Sequence, residues 1–294
     1  MDHPKFVIEV SEAESMAKSS GFTLKQLLPN LVVSAQTLAR VPISNFHVGA
    51  VGVGPSGRIF FGVNLEFPGL PLHHSVHAEQ FLVTNLFING ETNLDCLAVS
   101  AAPCGHCRQF LQEIRGAPDV KILITSDEEQ GFTPLSQFLS HRFGPHDLLP
   151  DDIPLLLEPR HNGLNFSGEI NNSPTGICNN GYHPNEKLKY AALEAANKSH
   201  APYSGSPSGV ALIDSDGKIY KGSYIESAAY NPSMGPVQAA LVSYVAGGGG
   251  DYQQVVGAVL VEKEGAVVKQ EQTAKLLLQS ISSQCQFKTF FCTS

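Results

Sequence analysis

The chemistry of this 294-residue chain is concentrated in four side chains: His77 and Glu79, two residues apart, and Cys104 and Cys107, a C-x-x-C preceded by Pro103. Two thiolates three residues apart at the start of a helix can face one ion, and an imidazole supplies a third donor. Three protein donors leave the fourth tetrahedral position of a zinc ion to water. The pKa of that water falls from about 16 to about 7, so hydroxide is available at neutral pH. A lone C-x-x-C also suits a closed structural zinc knuckle or a redox pair, but His77 and Glu79 favour an open, catalytic site. Glu79 is placed beside the ion without binding it, where a carboxylate can take a proton from water and pass it onward. Pro103 and the apolar spacing after Glu79 predict that both motifs open helices, whose positive ends favour thiolates.

The elements that must position these groups are written twice. A shift of 160 residues places Pro42 on Pro202, Ser44 on Ser204, Gly49 on Gly209, Gly57 on Gly217, Ile59 on Ile219, Gly62 on Gly222 and Glu66 on Glu226. Seven identities at one offset mark an internal duplication. Each copy opens with an Ala-rich helical stretch, residues 35–40 or 191–198, followed by a Pro-containing turn and a hairpin. The paired strands are predicted over 48–53 and 59–63, and again over 209–213 and 219–224, with Asp216-Gly217 as a hairpin cue. Later in the first copy, short β-rich runs at 97–100 and 120–125 flank a helical stretch at 107–114, an alternation that suggests parallel strands with crossover helices. The fold expected is α/β, two tandem three-layer α/β/α domains with a mixed sheet and helices on both faces.

The expected boundaries are 1–150 for an N-terminal helical segment and catalytic domain, 151–184 for an Asn-, Pro- and Gly-rich linker, and 185–294 for the second domain. Carrying the 160-residue shift to the metal site puts Val237, Gln238 and Ala239 where His77, Ala78 and Glu79 stand, and no second P-C-x-x-C occurs. One zinc per chain and a degenerate second copy follow. The run Gly247–Gly250 reads as a flexible connection, because no Lys-Ser or Lys-Thr follows it.

A net charge of −8 has the wrong sign for a protein that tracks a phosphate backbone, and the chain has no tryptophan to stack on bases. No run of about 18 apolar residues predicts a membrane span, and the start lacks the pattern of an export leader. A cytoplasmic protein with no membrane or nucleic-acid partner is expected. Its other cysteines, Cys96, Cys178, Cys285 and Cys292, read as ordinary thiols in a reducing compartment. His73 and His74 read as solvated, and His106 as turned away from the ion.

The pattern H-x-E followed by P-C-x-x-C is the known signature of zinc nucleobase and nucleoside deaminases. With Ser44, Asn45, Phe46, Asn64, Leu65, Glu66, residues 76–80, 103–110 and 143–148, and the repeat after Pro202, the chain resembles the cytidine deaminase family. The silent repeat resembles its homodimeric class, with one active and one decayed domain per subunit. The resemblance implies that Asn64 and Glu66 grip the ribose 3′-hydroxyl, that Phe46 packs on the pyrimidine, and that backbone groups of Ala78 and Ala102 bond the base. It also implies that Phe143 reaches the neighbouring subunit's site, although core packing is an alternative for Phe143. The implied reaction is hydrolysis of cytidine, and of 2′-deoxycytidine, to uridine or deoxyuridine and ammonia in pyrimidine salvage. Zinc-bound hydroxide attacks C4, and Glu79 shuttles protons to N3 and to the leaving amino group. A carboxylate at Glu66 repels a 3′-phosphate, which favours a free nucleoside over a nucleotide within a polymer. Two readings compete: a deaminase of polynucleotides, which needs a basic groove, and a zinc-binding regulatory protein that has lost turnover.

Overall fold

The computed structural model describes residues 5–127, 131–166 and 184–294, and the chain divides into two compact units. The first comprises Met1–Pro159, Glu226–Ser233 and Val245–Gly248; the second comprises Arg160–Ile225, Met234–Tyr244 and Gly249–Ser294.

In the first unit the chain runs β1 (Val7–Ile8), α1 (Val10–Ser20), α2 (Leu24–Gln36), β2 (Gly49–Val53), β3 (Ile59–Val63), α3 (Ala78–Ile88) and β4 (Cys96–Val99). It continues through α4 (Gly105–Phe110), β5 (Lys121–Ile124), β6 (Thr133–Pro134), α5 (Leu135–Phe138) and α6 (Pro145–Leu148). The sheet order is β1-β3-β2-β4-β5-β6, with only β4 and β5 parallel. The helix expected over 35–40 instead runs from Leu24 to Gln36, and residues 37–40 form a turn that leads to the Arg40–Leu65 bridge. Thr23 and Gln26 form a reciprocal capping box at the start of this helix, which runs through Pro29.

Two glycines show why helices cover both faces of this sheet. Gly49 lies against the backbone of α2 at Val32 and Gln36, where a Cβ would come within 2.7 Å. Gly62, whose register partner is Ala50 and not Gly49, would drive a Cβ into the Ala78 carbonyl and the Leu82 amide of α3. Residues one step apart in register point to opposite faces, so α2 and α3 sandwich the sheet. All residues of β2 and β3 are buried accordingly, as is α3 from Ala78 to Leu86.

The second unit repeats the plan with α7 (Pro184–Lys198), β7 (Ser208–Asp214), β8 (Ile219–Ser223), α8 (Pro236–Ala246), β9 (Val255–Lys263), α9 (Glu271–Ile281) and β10 (Gln286–Cys292), in sheet order β10-β9-β7-β8. Gly209 abuts α7 and Gly222 abuts α8, so here too the helices take opposite faces. Of the stretch expected as linker, Leu155–Leu157 are buried with the first unit, whereas Leu164 and Phe166 join the second core beside Leu188, Ala192 and Val261. The apolar residues dispersed among its Asn, Pro and Gly account for this packing. Residues 167–183, which hold Cys178, Asn171–Pro174 and Asn179–Gly181, lie outside the described residues.

The structure corrects the alignment of the two copies at the metal site. Leu65 bridges Val76 in the first copy, and Ile225 bridges Met234 in the second. Helices α3 and α8 are thus offset by 158 residues, not 160, because the second connecting loop is two residues shorter. Gly235, Pro236 and Val237 therefore stand where His77, Ala78 and Glu79 do.

Candidate active site

The site is built on two helix starts. His77 is the N-cap of α3, in extended conformation (φ −81°, ψ 157°), and Glu79 sits in the helix's first turn. Cys104 is the N-cap of α4 (φ −69°, ψ 168°), its carbonyl accepts the Arg108 amide at 3.0 Å, and Cys107 follows within the helix. The Arg108 guanidinium reaches back to the Pro103 carbonyl at 2.7 Å and across to that of Phe138 at 3.0 Å, fixing the turn that presents Cys104. The expectation that both motifs open helices holds.

These starts bring the three donors into mutual contact. His77 Nδ1 lies 3.4 Å from Cys104 Sγ and 3.3 Å from Cys107 Sγ, and the two sulfurs are 3.7 Å apart. Around a tetrahedral zinc, with Zn–S about 2.3 Å and Zn–N about 2.0 Å, sulfurs stand about 3.8 Å apart and a sulfur–nitrogen pair about 3.5 Å. The triangle fits that ion. Hydrogen bonds from Cys107 and His77 pull the Cys104 thiol down to about 3, whereas its hydrogen bond to Cys104 and burial push Cys107 up. Two adjacent sulfurs ionise together only when a cation shares their charge, which is what zinc provides. Among the described residues no other group of three or more His, Cys, Asp or Glu is placed to hold a metal.

Glu79 is 4% exposed and takes no part in that triangle. Burial pushes its carboxyl above the ordinary range, against hydrogen bonds from its own amide and the Cys107 thiol. His106 stacks on the His77 ring with centroids 5.8 Å apart and lies 3.3 Å from Gln80 Nε2, outside the donor set. The His73 and His74 rings lie tilted against each other, with centroids 4.4 Å apart, in a short 3-10 turn, Leu72–His74.

Asn64 and Glu66 flank Leu65, whose two backbone bonds to Val76, at 2.8 and 2.9 Å, set them one step from His77. Both side chains hold the loop carrying Phe46. Glu66 accepts from the Ile43 amide (2.8 Å), the Ser44 amide (3.0 Å) and the Ser44 hydroxyl (2.5 Å). Asn64 accepts from the Val48 amide and donates to the Phe46 carbonyl, each at 2.9 Å. The loop turns at Asn45, held at φ 56°, where the second copy has Gly205 at φ 62°. Ser44 Oγ also accepts the Phe46 amide at 3.0 Å, a connecting role that neither its spacing nor its residue type signalled. A carboxylate has about four acceptor positions, so Glu66 keeps one for a ligand, and Asn64 keeps one acceptor and one donor.

Phe46 is 62% exposed, and Phe143 is 45% exposed, which rules out core packing for Phe143 within one chain. The Phe143 carbonyl accepts from Gln109 of α4 at 2.5 Å. Ala78 is buried at the first position of α3, and Ala102 is exposed in the loop between β4 and α4. A cavity of about 190 Å³ bordered by Arg115, Arg142 and His146 includes none of the zinc donors.

Comparison with known proteins agrees with this geometry. Residues 23–124 and residues 135–275 each match a family described as cytidine and deoxycytidylate deaminase zinc-binding region. The chain is 62% identical to cytidine deaminase 1 of Arabidopsis thaliana over 303 aligned positions, covering 99% of each. It is 50% identical to cytidine deaminase 7 of the same plant, covering 99% of this chain and 95% of that one. It is 36% identical to a cytidine deaminase of Photorhabdus laumondii, covering 97% of this chain and 90% of that one. With the donor triangle in place and relatives matched over nearly their whole length, the chain belongs to the cytidine deaminase family of zinc-binding hydrolases.

Proposed function

We propose that the chain converts free cytidine and 2′-deoxycytidine, with water, to uridine or deoxyuridine and ammonia at the His77–Cys104–Cys107 centre. The observation that carries this reading is a buried carboxyl, Glu79, beside a triangle of donors spaced for zinc. Bound there, one zinc per chain supplies the Lewis acidity that makes water a nucleophile at neutral pH. Glu79 takes one proton of the attacking water and delivers it to N3 of the base, then takes the proton of the new C4 hydroxyl and passes it to the amino group, which leaves as ammonia as the C4 carbonyl forms.

Asn64 and Glu66 bind the ribose 3′-hydroxyl with the capacity left after the loop is tied, Phe46 packs on the pyrimidine, and backbone groups of Ala78 and Ala102 bond the base. A grip on the 3′-position leaves the 2′-position unread, hence the deoxynucleoside. It also places a carboxylate where a polynucleotide carries phosphate. The exposure of Phe46, Phe143, Leu72 and Leu148 supports a homodimer in which Phe143 of the partner subunit walls the pocket. The free thiols of Cys104 and Cys107 fit a reducing compartment such as the cytoplasm, and the reaction fits pyrimidine salvage. No helix among the described residues is long and apolar enough to cross a membrane. The test is loss of ultraviolet absorbance with cytidine, cytidine monophosphate and a cytosine-containing oligonucleotide. Turnover of cytidine alone supports the proposal, turnover of the oligonucleotide alone overturns it, and no turnover by zinc-loaded protein favours a regulatory role.

A further inference from the structure

Residues 226–233 lie in the second copy's stretch of sequence, in the loop corresponding to the one that follows Glu66, yet they cluster with the first unit. They touch the start of α3 and the far end of the segment that begins with α4, each through a buried polar side chain. Gln80, one residue past Glu79, donates from Nε2 to the Pro232 carbonyl at 3.3 Å, while its Oε1 accepts the His77 amide at 3.3 Å. Glu113 closes the 3-10 turn Leu111–Glu113 that continues α4 without a break from Cys107. Its carboxylate accepts the Ala228 amide at 2.7 Å, and its carbonyl accepts the Leu156 amide at 2.9 Å. Gln80 is 4% exposed and Glu113 is fully buried.

A buried carboxylate or carboxamide with a backbone partner holds position firmly, because losing the partner leaves a desolvated polar group unpaired. The segment itself is tied by the Ser227 amide to Ser233 Oγ at 2.9 Å. It thus forms a closed loop that presents one donor and one acceptor to two different helices.

We propose that Glu226–Ser233 is an internal brace for the zinc centre, with Gln80 and Glu113 as positioning residues. Gln80 sets the start of α3, which carries His77 and Glu79; Glu113 sets the far end of the segment that carries Cys104 and Cys107. The decayed copy then has a task in catalysis that needs none of the lost ligands: it holds the two pairs of reacting groups in register with each other. This inference rests on the zinc reading of the site and concerns the alignment of its donors.

The test uses the zinc-loaded full chain. Glu113→Ala is expected to lower kcat about tenfold or more, with KM for cytidine within about twofold, because the sugar-binding groups sit on a different segment. It should also speed zinc transfer to a chromogenic chelator about tenfold. Glu113→Gln, which keeps an acceptor for the Ala228 amide, should restore most of both. Wild-type kcat and zinc release in folded Glu113→Ala, or a change in KM alone, overturns the brace. A second measurement needs no variant. If zinc and the brace are coupled, stripping zinc from the wild-type chain must speed amide exchange in residues 226–233, since coupling is reciprocal. Unchanged exchange in that segment while α3 and α4 loosen overturns the proposal. Unchanged exchange at α3 and α4 as well would instead fault the zinc assignment itself.

Discussion

The two copies differ at their chemistry and agree at their contacts. Gly62 and Gly222 both admit a helix against the strand; Leu65–Val76 and Ile225–Met234 form the same bridge; Gly57 and Gly217 turn the same hairpin at φ 81°. Yet Gly235 and Val237 replace the histidine and the carboxylate, and the loop from Glu264 to Gln270, which follows β9, holds no cysteine. Packing constrains the backbone wherever two main chains approach closely, whereas catalysis constrains a few side-chain atoms whose loss costs the fold nothing. A copy can therefore lose its reaction and keep its architecture.

The sharpest way to break this comparison is to make the first copy chemically like the second. Cys107→Ser should abolish turnover and reduce bound zinc from one per chain to near zero by elemental analysis. Retention of one zinc would show that Cys107 is not a required donor. Glu79→Gln should keep the zinc and lower kcat about 10²–10⁴-fold. Near-wild-type turnover would remove Glu79 from the proton path.

Adding one methyl group tests the shared contacts. Gly62→Ala and Gly222→Ala should each destabilise by about 1–3 kcal/mol, read by thermal or denaturant unfolding, because the methyl meets helix backbone and not a flexible side chain. Gly62→Ala should also weaken zinc binding, since it displaces the turn of α3 that begins at His77, whereas Gly222→Ala reaches the zinc donors only indirectly, through the Glu226–Ser233 segment that leads into α8, and should weaken zinc binding less. Equal effects on zinc would show that the direct contact of Gly62 with α3 has no special hold on the donors.

The smallest expected effect concerns pH. Burial raises the Glu66 pKa, but the hydrogen bonds from Ser44 and Ile43 outweigh it and leave the group below its usual value of 4.5. A depressed pKa means that the bonds to the loop persist above the ordinary carboxylate range and are lost only as pH falls through the lower, folded value. KM for cytidine should therefore stay flat on acidification from neutrality to about the ordinary carboxylate pKa and rise below it. Ser44→Ala should move that rise to higher pH; no movement would detach the loop bonds from substrate binding.

Much of this is legible in the amino-acid sequence. His77, Glu79, Cys104 and Cys107 are readable because metal chemistry admits few residue types at few spacings, and the strands because glycines and β-rich runs recur at a fixed shift. The start of α2 was hidden by Pro29, although Thr23 and Gln26 carried its capping signal. The two-residue shortening was invisible to a gapless superposition, since loops absorb length changes without disturbing the strands they join. Gln80 and Glu113 went unrecognised because their partners are backbone groups 152 and 115 residues away.

The Leu65–Val76 pairing has one further consequence. It joins the strand end that bears Asn64 and Glu66 to the residue before His77 through two short backbone bonds, so the spacing between the main chain at Asn64 and Glu66 and the main chain at His77 is fixed. With Asn64 and Glu66 in the sugar-binding role proposed above, the enzyme gauges its ligand along the axis from sugar to amine. An analogue with one methylene inserted between ribose and base can satisfy one end of that gauge or the other, but not both.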